Sequence, residues 1–324
     1  YCIQYAKEAG HEMNRRRHGD RLGLGDVGRG LGARRRGSAS SGERRMTETL
    51  TPGTLDALRE RAREIRLSVL EMVYKAQSGH IGGSFSEAEI LAALYFHILD
   101  IRPEEPKWEN RDRMILSKGH ACPGLYAALS LRGFFPRETL WTLRQFGSPL
   151  QGHPVVKCPG IDMTTGSLGM GFGIAVGIAL EARMSEKPYS VFTLLGDGEI
   201  NEGIIWEVAG TANKYRLANL VAIVDRNTVQ NDGACDDIMP MEPIDAKFEA
   251  FGWTVETIDG HDMEAVVAAL ERGRSHDAGP YCIVAYTAKG KGVSFMENDA
   301  YWHGKPPTAE QYEEARAELE GGLV

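Results

Sequence analysis

From about residue 166 onward the chain alternates between two kinds of segment, and this alternation restricts the fold more than any other feature of the sequence. "YSVFTLL" and "NLVAIVD" are apolar almost throughout, as strands covered on both faces must be. "WTVETID" and "YCIVAYTA" continue the series. Between them lie segments that read as helices: "GSLGMGFGIAVGIALEARM", "EGIIWEVAGTANKYR", "PIDAKFEAFG" and "DMEAVVAALERGR". Repeated strand-helix units imply an α/β fold built on a doubly wound, mostly parallel sheet with helices on both faces. Such sheets take ligands at the carboxyl ends of their strands. The segments found at two of those ends are "GDG" at 196–198 and "DRN" at 225–227.

The preceding part of the chain is helical. Leu55, Leu58, Ala62, Ile65, Val69, Met72 and Val73 recur at steps of three and four, the pattern of an amphipathic helix over 55–76. "SEAEILAALYFHIL", 86–99, opens with Ser86 and an acidic first turn, then becomes apolar on most faces, which predicts a buried helix. Within it His97 reads as a structural residue. "RDRMILSKGHACPGLYAALSLRG" reads as a short strand, a glycine turn and a helix. No linker interrupts the pattern after residue 53, so 46–324 is expected to form one domain.

Residues 1–45 are different. They hold 11 basic and 5 acidic residues, a net of +6, whereas the whole chain carries −8. Rich in Arg, Gly and Ser, with almost no apolar periodicity, they cannot bury enough surface to fold alone. They are expected to be a disordered or non-native extension, with folding starting near Met46. The acidic balance of the remainder argues against nucleic acid as a partner. No apolar run approaches the ~20 residues of a membrane span. The five cysteines show no C-x-x-C spacing and no secretory context, which points to a reducing cytoplasm and to cysteines used as small buried residues.

The glycines at 196 and 198 permit a sharp turn and close approach of a ligand to the backbone. Asp197 adds a carboxylate oxygen, and Asn227, thirty residues on, adds an amide oxygen at the next strand end. Hard oxygens beside free amides suit Mg²⁺, or Ca²⁺ in its place, bridging a diphosphate. A helix starting near 201–203 would aim its first N–H groups at the same place. Alone, "GDG" is an ordinary turn motif. With "EG" after it and "DRN" thirty residues on, it becomes a much rarer pattern.

That block, "GDGEINEGIIWEVAGTANKYRLANLVAIVDRNTVQNDG", resembles the thiamine-diphosphate signature of transketolases. So do "AQSGHIGGSFSEAEILAALY", "DRMILSKGHACPGLYAAL", "LRQFGSPLQGHP", "TTGSLGMGFGIAVG", "DGHD" and "AKGKGVSFMENDAYWH", which occur in the family's order from about residue 55 to the end. The resemblance implies a thiamine-diphosphate-binding fold and the cofactors thiamine diphosphate and Mg²⁺, with Ca²⁺ or Mn²⁺ as substitutes. It makes Asp197, Asn227 and the Val229 carbonyl metal ligands. It places His120, Gly198 and His303 on the diphosphate, and Gly166, Ser167 and Leu168 along the aminopyrimidine. Ser167 stands where the family often has Pro, and Met170 where Gln is common; neither change removes a required side chain. His80, His120, His153 and His303 match four histidines around the reactive centre, and each lies beside a glycine in a predicted loop. Imidazoles can donate and accept protons near neutral pH in both halves of a ketol transfer. Glu202 and Glu207 would be acids at a subunit interface.

Full transketolases continue into a second α/β domain and a third domain. The second domain supplies the glutamate that activates the cofactor and the groups that hold the sugar-phosphate tail. The resemblance therefore implies the N-terminal subunit of a split transketolase, transferring a two-carbon unit between sugar phosphates together with a C-terminal subunit in an α2β2 assembly. A 1-deoxyxylulose-5-phosphate synthase-like half-enzyme shares the GDG…N block, but "SGHIGGSFSEAEI" and "GSPLQGHP" look more like transketolase. A non-catalytic scaffold is a third reading, which the retained Asp197, Asn227 and histidines oppose. Gly169, Gly171 and Gly173 miss the G-x-G-x-x-G spacing of a nicotinamide-binding turn.

Overall fold

Thr51 starts the first helix. Its hydroxyl accepts the Thr54 amide and Pro52 occupies the first turn, so α1 runs Pro52–Ala76. The computed structural model describes residues 50–322, which belong to one compact unit. The expectations for residues 1–45, and for a start at Met46, lie outside the described residues. All seven periodic residues named above are buried on one face of α1. Full burial of a single Leu or Ile side chain contributes about 1.5–3 kcal/mol.

The helix expected over 86–99 is broken. α2 (Ile81–Ser86) and α3 (Ala88–Ala93) are separated at Glu87, and a π-helical turn, Leu94–Ile98, follows. The break serves buried charge: Glu87 is fully buried and faces the Lys118 ammonium. His97 is structural as expected, with its Nε2 3.1 Å from Glu271 Oε1.

The remaining elements are β1 (Arg113–Leu116), α4 (Cys122–Arg132), α5 (Met170–Met184), β2 (Val191–Gly196) and α6 (Gly203–Lys214). Then come β3 (Leu220–Arg226), α7 (Cys235–Ile238), α8 (Ile244–Ala250) and β4 (Thr254–Asp259). The chain ends with α9 (Met263–Ser275), β5 (Tyr281–Tyr286) and α10 (Ala309–Glu320). The sheet order is β1-β2-β3-β5-β4, and every pairing is parallel. Each expected strand is present. β2 and β3 are buried along their whole length because both faces are covered. β4, at the edge, alternates between exposed and half-buried residues.

Side chains alternate between two cores. Phe192, Leu194, Val221 and Ile283 join the core under α1–α4 and α9. Val191, Leu195, Ala222 and Val284 join the core under α5, α6 and α8. This is the doubly wound arrangement, which opens to ligands at the strand ends.

A buried polar chain ties α1 to the loop after β5. Arg66 donates through Nη2 to Glu89 Oε2 at 2.6 Å and to the Phe85 carbonyl. The Ala288 amide donates to His261 Nε2 at 2.8 Å, so the ring hydrogen sits on Nδ1, which faces Glu89 Oε2 at 3.1 Å. Burial alone would raise the Glu89 carboxyl, but Arg66 and His261 outweigh it and bring it to about 2. Because this folded value is depressed, the stabilisation is complete above the unfolded carboxylate range and is lost as pH falls from about 4.5 toward 2. Glu89→Gln is expected to destabilise the chain by about 3–5 kcal/mol at pH 7.5, leaving Arg66 buried without a counter-charge. In urea unfolding, the gap between native and variant should narrow below pH 4.5; a pH-independent gap would contradict the pairing.

Candidate active site

The site is assembled where β1, β2, β3 and β5 end side by side. After β1, Ser117–His120 form a turn, with His120 on a short 3-10 segment, Gly119–Ala121. After β2 come Asp197 and Gly198. After β3 come Asn227, Thr228 and Val229, and after β5 comes Lys289.

Asp197 and Asn227 follow the ends of β2 and β3, where Gly196 of β2 pairs with Asp225 of β3. Asp197 Oδ2 accepts the Thr228 amide at 2.6 Å and lies 3.3 Å from Arg226 Nη1, while Oδ1 accepts the Gly198 amide at 2.8 Å. Burial, then the nearby Asp225 carboxylate, push the Asp197 carboxyl above its ordinary range. Asn227 donates through Nδ2 to Asp225 Oδ2 at 3.1 Å, which leaves its Oδ1 as the free-facing acceptor, where the Val229 amide reaches it at 3.2 Å. The Val229 carbonyl accepts from Lys289 Nζ at 2.8 Å. Among the described residues no group of three or more His, Cys, Asp or Glu side chains could hold a metal. The available donors are instead mixed hard oxygens: one carboxylate, one amide and one peptide carbonyl.

Beneath them lies an ion cluster that the sequence reading missed. Lys118 Nζ is 2.5 Å from Asp225 Oδ2 and 2.8 Å from Glu87 Oε2, all three fully or nearly fully buried. Asp225 also accepts from Ser86 Oγ at 2.6 Å and from Thr287 Oγ1. Burial disfavours the ammonium, yet Asp225 and Glu87 outweigh it and hold Lys118 well above the ordinary lysine range. Burial raises Glu87 to about 7. The lysine in "SKGH" gave no signal of this, because its partners lie 31 residues before it and 107 after it.

His80, His120 and His303 form a triangle. Their ring centroids are 5.1, 5.2 and 5.2 Å apart. Burial first, then neighbouring positive charge, lower their pKa values to about 4, about 2 and about 3 respectively. The three rings are therefore neutral at physiological pH. His153 stands outside the triangle. It is exposed, packs beside Gly166, and is lowered by partial burial and by Arg144; it also acts electrostatically on His80. Lys289 Nζ lies 2.7 Å from His303 Nδ1, and burial lowers its own pKa to about 8. Neither Lys289 nor Lys118 was singled out from the sequence. A cavity of about 400 Å³ opens beside His80 and His303, with Asn231, Tyr301 and Lys305 on its wall.

Glu199 pins the loop that carries Gly166, Ser167 and Leu168. Its carboxylate accepts from Ser117 Oγ at 2.5 Å, the Gly169 amide at 2.7 Å and the Gly196 amide at 3.0 Å. Thr165 Oγ1 donates to the Leu116 carbonyl at 2.8 Å. Gly169 sits at φ +82°, and a Cβ there would collide with Ile204. The helix expected to start near 201–203 begins at Gly203. A 3-10 turn, Glu199–Asn201, links Gly198 to it and uses the Asn201 and Glu202 amides internally. Glu202, which caps α6, and Glu207, in its first half, are exposed and join none of the groups above.

A family model described as transketolase, thiamine diphosphate binding domain, matches residues 58–321. The chain belongs to the transketolase family. It is 43% identical over 265 residues to one of the named subunits of apulose-4-phosphate transketolase from Phocaeicola vulgatus, covering 82% of this chain and 94% of that protein. It is 47% identical over 264 residues to 6-deoxy-6-sulfo-D-fructose transketolase subunit SqwG of a Clostridium species, covering 81% and 96%. Against human transketolase the identity is 40% over 253 residues, covering 78% of this chain but 40% of that one. The crystal structure of Campylobacter jejuni transketolase superposes with a TM-score of 0.78 at 34% identity, over 82% of this chain and 43% of that chain. This transketolase domain thus matches nearly the whole of short subunits and under half of long transketolases.

Proposed function

We propose that the chain is the diphosphate-binding subunit of a two-subunit transketolase, acting with a C-terminal partner in an α2β2 assembly on sugar phosphates. The observation that carries the reading is the neutral histidine triangle placed beside the Asp197–Asn227–Val229 oxygens on adjacent strand ends. Near-complete coverage of two proteins named as subunits supports a separate partner. The exposed Glu202 and Glu207 are assigned to the contact with it.

The oxygens fit Mg²⁺, or Ca²⁺ or Mn²⁺ in its place. Asp197 is raised by burial and by Asp225, so a cation there would relieve a real electrostatic cost. The Val229 carbonyl already faces one cation, the Lys289 ammonium, and a carbonyl has a second lone pair to offer. Asp197, Asn227 and Val229 would hold the metal. Gly198, His120 and His303 would contact the diphosphate, and Gly166, Ser167 and Leu168 the pyrimidine. When bound, thiamine diphosphate supplies the carbon nucleophile and the electron sink for breaking and making the ketol carbon–carbon bond.

The chain's own groups position the cofactor and the reacting hydroxyls. The half-buried histidines of the triangle, uncharged, would hydrogen-bond to substrate hydroxyls without placing fixed positive charge there. Glu199 and Thr165 keep the pyrimidine loop at the strand ends. Lys118 and Asp225 hold the Asn227 amide nitrogen, which leaves its oxygen to serve as a metal ligand when one is bound. The four described cysteines are free and buried, which supports a cytoplasmic setting. No helix among the described residues is long and apolar enough to cross a membrane.

The full chain, given thiamine diphosphate, Mg²⁺, xylulose 5-phosphate and ribose 5-phosphate, is expected to show no ketol transfer. Transfer should appear on adding a pyrimidine-binding transketolase subunit. Turnover at ordinary rates by this chain alone would overturn the two-subunit reading.

A further inference from the structure

His80 has two edges, and they meet different surroundings. Its Nδ1 lies 3.5 Å from Arg144 Nη2. Its Cδ2–Nε2 edge faces Gly304, on the side of the 400 Å³ cavity. A guanidinium has only donors and does not lose its proton in a protein. The Nδ1 atom that meets it must therefore be the bare nitrogen, and the ring hydrogen must sit on Nε2. We infer that Arg144 is a positioning residue which fixes His80 as the Nε2–H tautomer, so that His80 presents a hydrogen-bond donor, and not a proton acceptor, to the substrate.

The surroundings of Arg144 favour this role. Its other terminal nitrogen, Nη1, donates to Ser78 Oγ at 2.7 Å, two residues before His80, so the guanidinium grips the same loop twice. Its backbone is left-handed, with φ +59°, and its amide donates to the Leu150 carbonyl at 2.8 Å. Its guanidinium packs on Gly152, where a Cβ would come within 3.1–3.2 Å of it. No carboxylate among the described residues lies within ion-pair distance of Arg144. Its charge is thus aimed at neutral acceptors and at the histidines. Consistently, Arg144 is among the groups that hold His80 and His153 below their ordinary range. Lys289 Nζ makes a similar contact with His303 Nδ1 at 2.7 Å, and in its ammonium form it too faces a bare nitrogen.

The role of His80 in ketol transfer rests on the function proposed above, but its tautomer does not, so the two are tested apart. The full chain, uniformly ¹⁵N-labelled, would be studied at pH 7.5 by long-range ¹H–¹⁵N correlation, with the His80 signals assigned from their absence in His80→Gln. The expected pattern is one protonated Nε2 and one bare Nδ1. Arg144→Met is expected to convert it to a mixture of tautomers and to shift the His80 pKa upward by roughly 0.5–1 unit. Arg144→Lys, which keeps a donor-only cation, is expected to restore the native pattern at least in part. An Nδ1–H tautomer in the native chain would overturn the proposal even if Arg144→Met failed to fold, and so would an unchanged pattern in Arg144→Met. With the partner subunit present, Arg144→Met should lower kcat more than it raises KM. Absence of any ketol transfer by the native pair would count against the transketolase reading and leave the tautomer result standing.

Discussion

Asp197→Ala is expected to abolish ketol transfer and to weaken Mg²⁺-dependent binding of thiamine diphosphate by more than about 100-fold, since even the loss of a residue that merely supports a metal ligand costs 10–100-fold. The chain should stay folded. Arg226, which loses one partner, keeps Glu242 Oε1 at 2.7 Å and Asp236 Oδ1 at 3.3 Å. Removing a carboxylate whose burial already raises its pKa also removes an electrostatic cost. Titration calorimetry with thiamine diphosphate, with and without Mg²⁺, separates the effects, and thermal unfolding checks the fold. Asp197→Asn is the sharper control. It can keep the contact with the Thr228 amide but lacks the charge, so it should fall between the native chain and Asp197→Ala. Native-like, Mg²⁺-dependent binding by Asp197→Ala would remove Asp197 from the metal site.

The second large effect is on stability. Lys118→Met should cost about 3–5 kcal/mol, because it leaves the Asp225 and Glu87 carboxylates buried and facing each other without a counter-charge. In a chain of this size that corresponds to a drop of roughly 10 °C in Tm. The sign of the pH dependence follows from the same charges. Glu87 is already raised to about 7 beside Lys118, so its ionisation opposes folding. Unfolded, it ionises from about 4.5; folded, it holds its proton to higher pH, so stability falls as pH rises through that interval. Without Lys118 both carboxylates behave in this way. The penalty should be largest near pH 8 and smaller near pH 5, and Lys118→Met combined with Glu87→Gln should recover part of the loss. A penalty that grew on acidification would contradict the cluster as described. Because Asp225 orients Asn227, Lys118→Met should also weaken Mg²⁺-dependent cofactor binding by the chain that remains folded.

These two residues illustrate how unevenly the site could be read from the sequence. Asp197 stood out through local chemistry. An acid between two glycines at the end of an apolar run has few structural uses, and a second oxygen donor thirty residues on marks the neighbouring strand. The four histidines stood out for a similar reason, each set beside a glycine in a loop. Lys118 stood out for none. A lysine in a turn looks like a solvated residue until the fold brings Glu87 and Asp225 to it. Glu199 reads equally well as an exposed acid of "GDGEIN", although three separate segments donate to it. Arg144 looks like a surface cation until Gly152 and Ser78 direct it at His80.

The sequence by itself determined the strands, the sheet class, the family and the oxygen and imidazole groups on which the chemistry depends. Those follow from periodicity and from local turn chemistry, which act over a few residues. The tertiary structure alone decided the strand order, the break at Glu87, the 3-10 turn between Gly198 and α6, and the buried charges beneath the site. It also decided which nitrogen of His80 faces the fixed charge of Arg144. Those properties depend on electrostatics between groups far apart in the chain, and burial strengthens such interactions only once the sheet has brought the strand ends together.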